Sequence, residues 1–114
     1  MSHKGSCHCG KLTFEAQGEF ENAIECNCSH CSRKGYLLWF IPKSNFSFEA
    51  EESVLSTYTF NKHAIKHHFC AKCGCAPFGF GVMGGTEMVA VNVRCIEGIE
   101  LSSVKREFVD GRSF

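Results

Sequence analysis

The sequence predicts a mainly β fold, a small antiparallel β-sheet domain with little helix. Several segments alternate apolar and polar residues at the two-residue period of a strand, or are rich in β-branched and aromatic residues. No segment shows a convincing 3.6-residue period. Most of the nine cysteines fall in short clusters, which predicts that metal ions help to hold the sheet together.

The clearest strand pattern is the alternation of apolar and polar residues at positions 11–17, which ends at Gly18. Residues 36–41 form a continuous aromatic and aliphatic run before Pro42, which is typical of a central strand covered on both faces. Residues 78–81, Phe-Gly-Phe-Gly, are interpreted as turn or bulge material rather than as the lining of a small-molecule pocket. Three further segments with β-branched and aromatic residues predict strands, at 54–60, 64–69 and 88–93.

One short helix is predicted at residues 29–34. Ser29 offers a side chain that can cap the first turn, and Gly35 can end the helix in the left-handed conformation. Gly10 and Gly74 each directly follow a cysteine, where a metal-binding turn often requires a positive φ.

Length and composition predict a single domain over residues 1–114, because 44% apolar residues and eleven phenylalanines can form one compact core and no long linker divides the chain. The formal net charge is zero and no basic run accumulates, which argues against nucleic acid as a partner. The sequence has neither a signal-peptide pattern nor a run of about twenty apolar residues, so we expect a cytoplasmic protein with no membrane partner.

The spacing of the cysteines indicates metal binding rather than disulfide bonds. Their number is odd, and the Cys-x-Cys and Cys-x-x-Cys spacings suit the chelation of one ion from a turn. The clustered positions are Cys7 and Cys9, then Cys26, Cys28 and Cys31, then Cys70, Cys73 and Cys75, with Cys95 standing alone.

Seven of the eight clustered cysteines divide into a group of four and a group of three, and these numbers suit two kinds of zinc site. Structural zinc has four protein ligands, whereas catalytic zinc keeps three and leaves a position for water or substrate. Two pairs from distant segments predict a closed structural zinc at Cys7, Cys9, Cys70 and Cys73. Three cysteines within six residues predict a zinc with one open side at Cys26, Cys28 and Cys31. We therefore expect two zinc ions per chain.

Cys75 leaves an alternative open, because as a fourth ligand of the second group it would close both sites and give a purely structural protein. Cys95 has no cysteine near it in sequence and is interpreted as a buried packing residue. Four histidines are interpreted as surface residues or as partners of the ligands, since sulfur atoms suffice for both ions: His8, His30, His67 and His68.

Five motifs occur in order along nearly the whole chain. They are residues 5–10 followed by Phe14, residues 26–31 with Gly35, residues 69–74, the asparagine-containing segment 91–94, and the aspartate–glycine turn within 108–112. With these motifs the chain resembles the glutathione-dependent formaldehyde-activating enzyme family, which includes the centromere protein V domain.

The resemblance implies a zinc-stapled β fold of the Mss-four-like β-tent type. It also implies carbon–sulfur lyase chemistry, in which glutathione or another small-molecule thiol condenses with formaldehyde to an S-hydroxymethyl adduct. Coordination at the open zinc would deprotonate such a thiol. The alternative from another class is a non-catalytic zinc-binding interaction module with two closed sites. The same zinc ligands are implied as above: Cys7, Cys9, Cys70 and Cys73 on the structural ion, and Cys26, Cys28 and Cys31 on the catalytic one.

Overall fold

The structure, a computed structural model, describes residues 1–20, 22–51, 53–60 and 65–111. These residues contain ten strands and the α-helix α1 (Ser29–Lys34), so the predicted mainly β fold with little helix is confirmed. Short 3₁₀ turns lie at Lys43–Asn45, Val93–Cys95 and Leu101–Ser103. The strands are β1 (Ser2–Ser6), β2 (Leu12–Gln17), β3 (Asn22–Cys26), β4 (Leu38–Pro42), β5 (Phe46–Ala50), β6 (Leu55–Tyr58), β7 (Lys66–Cys70), β8 (Phe78–Met83), β9 (Thr86–Asn92) and β10 (Lys105–Val109).

The strands form two sheets. The smaller sheet has the order β1-β2-β5, and the larger one has the order β10-β3-β4-β9-β8-β7-β6. All pairs are antiparallel except β10 and β3, which run parallel with Val109 opposite Cys26. The predicted, mostly antiparallel sheet is therefore present, with this pair as the exception among the described strands. Parallel pairing requires a long crossover connection, and here most of the chain lies between the two strands.

All five predicted strands are present, with ends shifted by a few residues, as β2, β4, β6, β7 and β9. Residue 64, which was included in the fourth of them, lies outside the described residues. The aromatic run before Pro42 is buried on both faces, since Leu38, Trp39 and Ile41 are each at most 8% exposed. It lies inside the larger sheet between β3 and β9, as predicted.

The interpretation of residues 78–81 as turn or bulge is wrong, because they belong to β8, which pairs with β7 and β9 on its two sides. Glycine alternates here with Phe78 and Phe80 at the period of a strand. A β-carbon at Gly79 would lie only 3.0 Å from the Lys66 carbonyl oxygen. The glycine therefore permits close approach of two strands.

Helix α1 has its predicted bounds but a different cap. The N-cap is Cys28 rather than Ser29, and the Cys28 Sγ accepts a hydrogen bond from the Cys31 backbone N–H at 3.3 Å. Gly35 ends the helix with φ 68° and donates its N–H to the Cys31 carbonyl oxygen. Cys28 therefore caps the helix and also belongs to one of the cysteine clusters.

Phenylalanine rings join the two sheets. Phe14 on β2 and Phe46 on β5 pack against Phe78 on β8, with ring centroids 6.2 and 4.9 Å away. Gly5 on β1 lies so close to the Phe14 ring and the Cys95 carbonyl that a β-carbon there would overlap both.

The described helices are all too short or too polar to cross a membrane.

Candidate metal centres and the cavities beside them

The first cysteine group joins the beginning of the chain to its later half. Cys7 directly follows β1, and Cys70 is the last residue of β7. Each begins a tight turn, in which the N–H of Gly10 bonds the Cys7 carbonyl and the N–H of Gly74 bonds the Cys70 carbonyl. Both glycines have a positive φ, 82° and 78°, as expected for these turns. The group consists of four thiols within 4.8 Å of one another: Cys7, Cys9, Cys70 and Cys73.

The distances in this group suit tetrahedral zinc. Zinc–sulfur bonds of about 2.3 Å place the sulfur atoms about 3.8 Å apart. The Sγ of Cys9 lies 3.6 Å from that of Cys7 and 3.5 Å from that of Cys70. Burial raises the pKa of the Cys73 thiol, but hydrogen bonds from the backbone N–H groups of Cys75 and Cys9 outweigh it and lower that pKa to about 6. The donor set therefore fits a structural zinc ion.

The second cysteine group is formed by a strand end, a helix cap and a helix. It comprises Cys26, Cys28 and Cys31, whose Sγ atoms also lie within 4.8 Å of one another. The Cys28 N–H points at the Cys26 Sγ at 3.4 Å. Burial raises the pKa of the Cys28 thiol, yet hydrogen bonds from the Cys31 N–H, the Cys31 thiol and the His30 N–H together hold the pKa below its ordinary value. This donor set fits a zinc ion with three protein ligands.

A cavity of about 330 Å³ borders the second group. Its wall includes Arg94, whose Nε donates a hydrogen bond to the Gly35 carbonyl oxygen at 3.0 Å. Burial, followed by the charge of Cys31, raises the pKa of Tyr36 to about 12, so this phenol stays protonated near neutral pH. The cavity is lined by Glu25, Cys26, Asn27, Cys31, Ser32, Gly35, Tyr36, Arg94 and Phe108. No functional role for Tyr36 or Arg94 was predicted from the sequence, since tertiary folding alone brings them to the cysteines.

The turn after β10 covers the second group. The Asn27 side chain donates a hydrogen bond to the Asp110 carboxylate at 2.9 Å, and the Asn27 N–H bonds the Val109 carbonyl oxygen. A β-carbon at Gly111 would overlap the Cys26 Sγ and lie 3.4 Å from the Cys28 Cβ. Only glycine fits here while the cysteines keep their positions. Arg112, at the end of the turn motif, lies outside the described residues.

We expect Gly111→Ala to weaken metal binding at the second group by about tenfold or more, in the range seen when groups around metal ligands are altered. The added methyl group must displace the Cys26 Sγ. Chelator competition that resolves the two metal affinities would measure the change. Gly81→Ala is the matched control, because its β-carbon makes an ordinary 3.5 Å contact with Ile65. Equal metal affinities in the two variants would contradict this expectation.

Cys75 does not join the second group, so the alternative in which it supplies a fourth ligand is not supported by the geometry. Its Sγ lies instead 3.6 Å from that of Cys95. Cys95 does pack against the core, as interpreted from the sequence, but it also has a thiol neighbour that the sequence did not indicate. Cys95 is half-buried and faces a second cysteine that is twenty residues away in sequence.

None of the four histidines considered from the sequence belongs to either cysteine group. His8 is exposed, and His68 is buried with its Nδ1 2.9 Å from the Thr57 hydroxyl. His30 packs against His67 with ring centroids 4.2 Å apart. Burial lowers the pKa of His30, and burial with the charge of His30 lowers that of His67 to about 4, so both rings are neutral near pH 7.

A larger cavity of about 600 Å³ lies on another face of α1. None of the seven cysteines of the two metal groups lines it, whereas Cys26 and Cys31 line the smaller cavity. The larger cavity is lined by His30, Arg33, Lys34, Tyr36, Tyr58, His67, His68, Phe69, Gly74 and Ala76.

The chain is similar to known proteins in sequence and in structure. Residues 2–108 match the family model described as glutathione-dependent formaldehyde-activating enzyme, and this range contains both cysteine groups. A Rhodobacter sphaeroides protein of known crystal structure is 30% identical to this chain in sequence. The match covers 91% of this chain and 99% of that chain with a TM-score of 0.79. The chain therefore belongs to the glutathione-dependent formaldehyde-activating enzyme family.

Proposed function

We propose that this protein is a zinc-dependent carbon–sulfur lyase that forms or cleaves the S-hydroxymethyl adduct of glutathione or another small-molecule thiol with formaldehyde. Cys7, Cys9, Cys70 and Cys73 would hold the structural zinc, and Cys26, Cys28 and Cys31 the catalytic one. The proposed setting is the reducing cytoplasm, where thiol substrates are available and cysteine ligands stay reduced.

The observation that supports this proposal best is the unequal number of thiols in the two groups. The group of three borders a cavity, and Cys26 and Cys31 are part of the cavity wall. Zinc bound by these three cysteines would supply a position at which a substrate thiol is deprotonated and a departing thiolate is accepted. A group of four thiols, in contrast, completes the coordination of zinc.

Ionisation of the thiol cannot account for the whole rate enhancement. A thiol with a pKa of about 8.5 gains roughly thirtyfold in thiolate concentration at pH 7 when fully ionised. The cavity must therefore also hold the carbonyl carbon beside the sulfur, since correct placement can contribute far more.

Two cavity residues have the chemistry needed to orient the reactants. The Arg94 guanidinium, positioned by its bond to the Gly35 carbonyl, offers a positive charge to a carboxylate of the thiol substrate. The protonated Tyr36 hydroxyl is a donor for the oxygen that gains negative charge when sulfur attacks formaldehyde. On cleavage the same hydroxyl would bond the carbonyl oxygen that reforms.

We expect Tyr36→Phe to lower kcat for adduct formation by about a hundredfold, a loss typical of removing one donor to a developing oxyanion. The substrate thiol should bind nearly as well, since the ring remains. Tyr58→Phe is the matched control, because Tyr58 lines only the larger cavity of the two. Equal rates for the two variants would exclude the proposed role of Tyr36.

The function itself is tested by NMR exchange spectroscopy on glutathione and formaldehyde with the zinc-loaded protein. We expect exchange between free thiol and S-hydroxymethyl adduct to be faster than in buffer containing the same zinc concentration. A protein that holds both zinc ions yet leaves exchange at the buffer rate, with glutathione and a panel of other thiols, would instead support the non-catalytic module.

A further inference from the structure

Two of the nine cysteines are left over once the metal groups are assigned. Seven belong to the groups of four and three, and Cys75 and Cys95 remain. Their Sγ atoms lie 3.6 Å apart, in van der Waals contact, although the residues are twenty positions apart in sequence. Neither is needed to complete the proposed metal sites.

Backbone interactions hold the two residues in place independently of one another. The Cys75 carbonyl oxygen accepts a hydrogen bond from the Cys70 N–H at 2.9 Å, inside the turn of the four-cysteine group. Cys95 ends the 3₁₀ turn Val93–Cys95, and its carbonyl lies against Gly5. The two thiols therefore face each other because of where the fold places their main chains.

We propose that Cys75 and Cys95, whose thiols belong to neither metal group, form a thiol–disulfide exchange site whose substrate is a small-molecule disulfide. The thiolate of one residue attacks a sulfur of the disulfide, which breaks the substrate S–S bond, forms a mixed disulfide and releases one thiol. The second residue, after losing its proton, attacks the protein sulfur of the mixed disulfide and releases the other thiol. The protein dithiol is oxidised by two electrons, and the substrate is reduced to two thiols.

The two cysteines are packed against the core but keep partial contact with solvent, since each is half-buried. The two sulfur atoms face each other at 3.6 Å, so the thiol that does not make the first attack is in place for the resolving step.

Glutathione disulfide and the zinc-loaded protein provide the test. The protein is incubated with glutathione disulfide, the excess reagent is removed, and the zinc content is measured. After denaturation in acid, intact-mass measurement should show that protein which had kept its zinc has lost two hydrogen atoms. Trypsin cleaves after Lys72 and Arg94, which separates Cys75 from Cys95. Fragmentation of the linked peptides should then place the bond on Cys75 rather than on Cys73.

Two variants complete the experiment. Cys95→Ser and Cys75→Ser should each form no internal disulfide and should stop at one added glutathionyl group on the remaining thiol of the pair. The proposal would be overturned if the zinc-loaded wild-type protein remained fully reduced under conditions that oxidise a free dithiol peptide. A link found only between cysteines of the metal groups would overturn it as well. Lyase activity is not measured, so the outcome is independent of the function proposed above.

Discussion

Cys73→Ala is expected to leave little folded protein. Structural zinc in small cysteine sites contributes about 10–16 kcal/mol, which matches or exceeds the ~5–15 kcal/mol net stability of a typical domain. Losing one of four ligands removes much of that contribution, because the ion that joins the turns of Cys7 and Cys70 is then bound more weakly and its site is open to water. Circular dichroism, thermal unfolding and zinc content of the purified variant would measure the loss.

Cys75→Ala is the matched control for this experiment, because Cys75 lies two residues further along the same turn and outside both metal groups. It should remain folded with two zinc ions per chain. A well-folded Cys73→Ala protein with a normal unfolding temperature would contradict the structural role proposed for the four-cysteine group.

Cys28→Ser is expected to give a folded protein that has lost about one zinc ion per chain and all adduct formation above the buffer rate. Serine is chosen because its hydroxyl can replace the Cys28 Sγ as the cap of α1, an interaction whose loss costs about 1 kcal/mol. Any remaining defect then reports on the missing thiolate. Elemental analysis and the NMR exchange assay would measure the two losses.

The four-cysteine group should be unaffected in this variant, since its ligands come from other segments. Ser29→Ala, at the exposed neighbouring position, should keep both zinc ions and full activity. If Cys28→Ser retained two zinc ions, or unfolded as Cys73→Ala should, the division into a structural and a catalytic ion would be wrong.

The cysteine groups were predictable because most of their geometry is local. The spacing of Cys26, Cys28 and Cys31 allows one turn to gather three sulfur atoms, whatever the rest of the chain does. The four-cysteine group needed one further assumption, that the pair in the turn of Cys7 meets the pair in the turn of Cys70. The long-range part of the site was beyond this reasoning. The cavity wall formed by Arg94 and Phe108 depends on where β9 and β10 lie relative to α1.

The strands show the same division. The buried runs that became β4 and β9 carry strong patterns, since both faces of each strand are covered. The strands β5 and β10 are mostly exposed and have no such pattern, and none of their residues was predicted as strand. In β8, glycine was interpreted as a sign of a turn. Gly79 instead lets the neighbouring strand approach closely, because that strand leaves little room for a β-carbon. The contact that explains this glycine is long-range.

The sulfur atoms of Cys9 and Cys70 are in contact although the two residues are 61 positions apart in sequence. This separation affects how the chain reaches its native state. Closing so large a loop is entropically costly and slow, and contacts with this sequence separation form late in an unassisted chain. A metal ion that is bound first by the cysteines of one turn would then bind the cysteines of the other turn with high affinity. Refolding should therefore speed up with free zinc concentration until capture by the first turn is saturated, which links the rate of maturation to zinc supply.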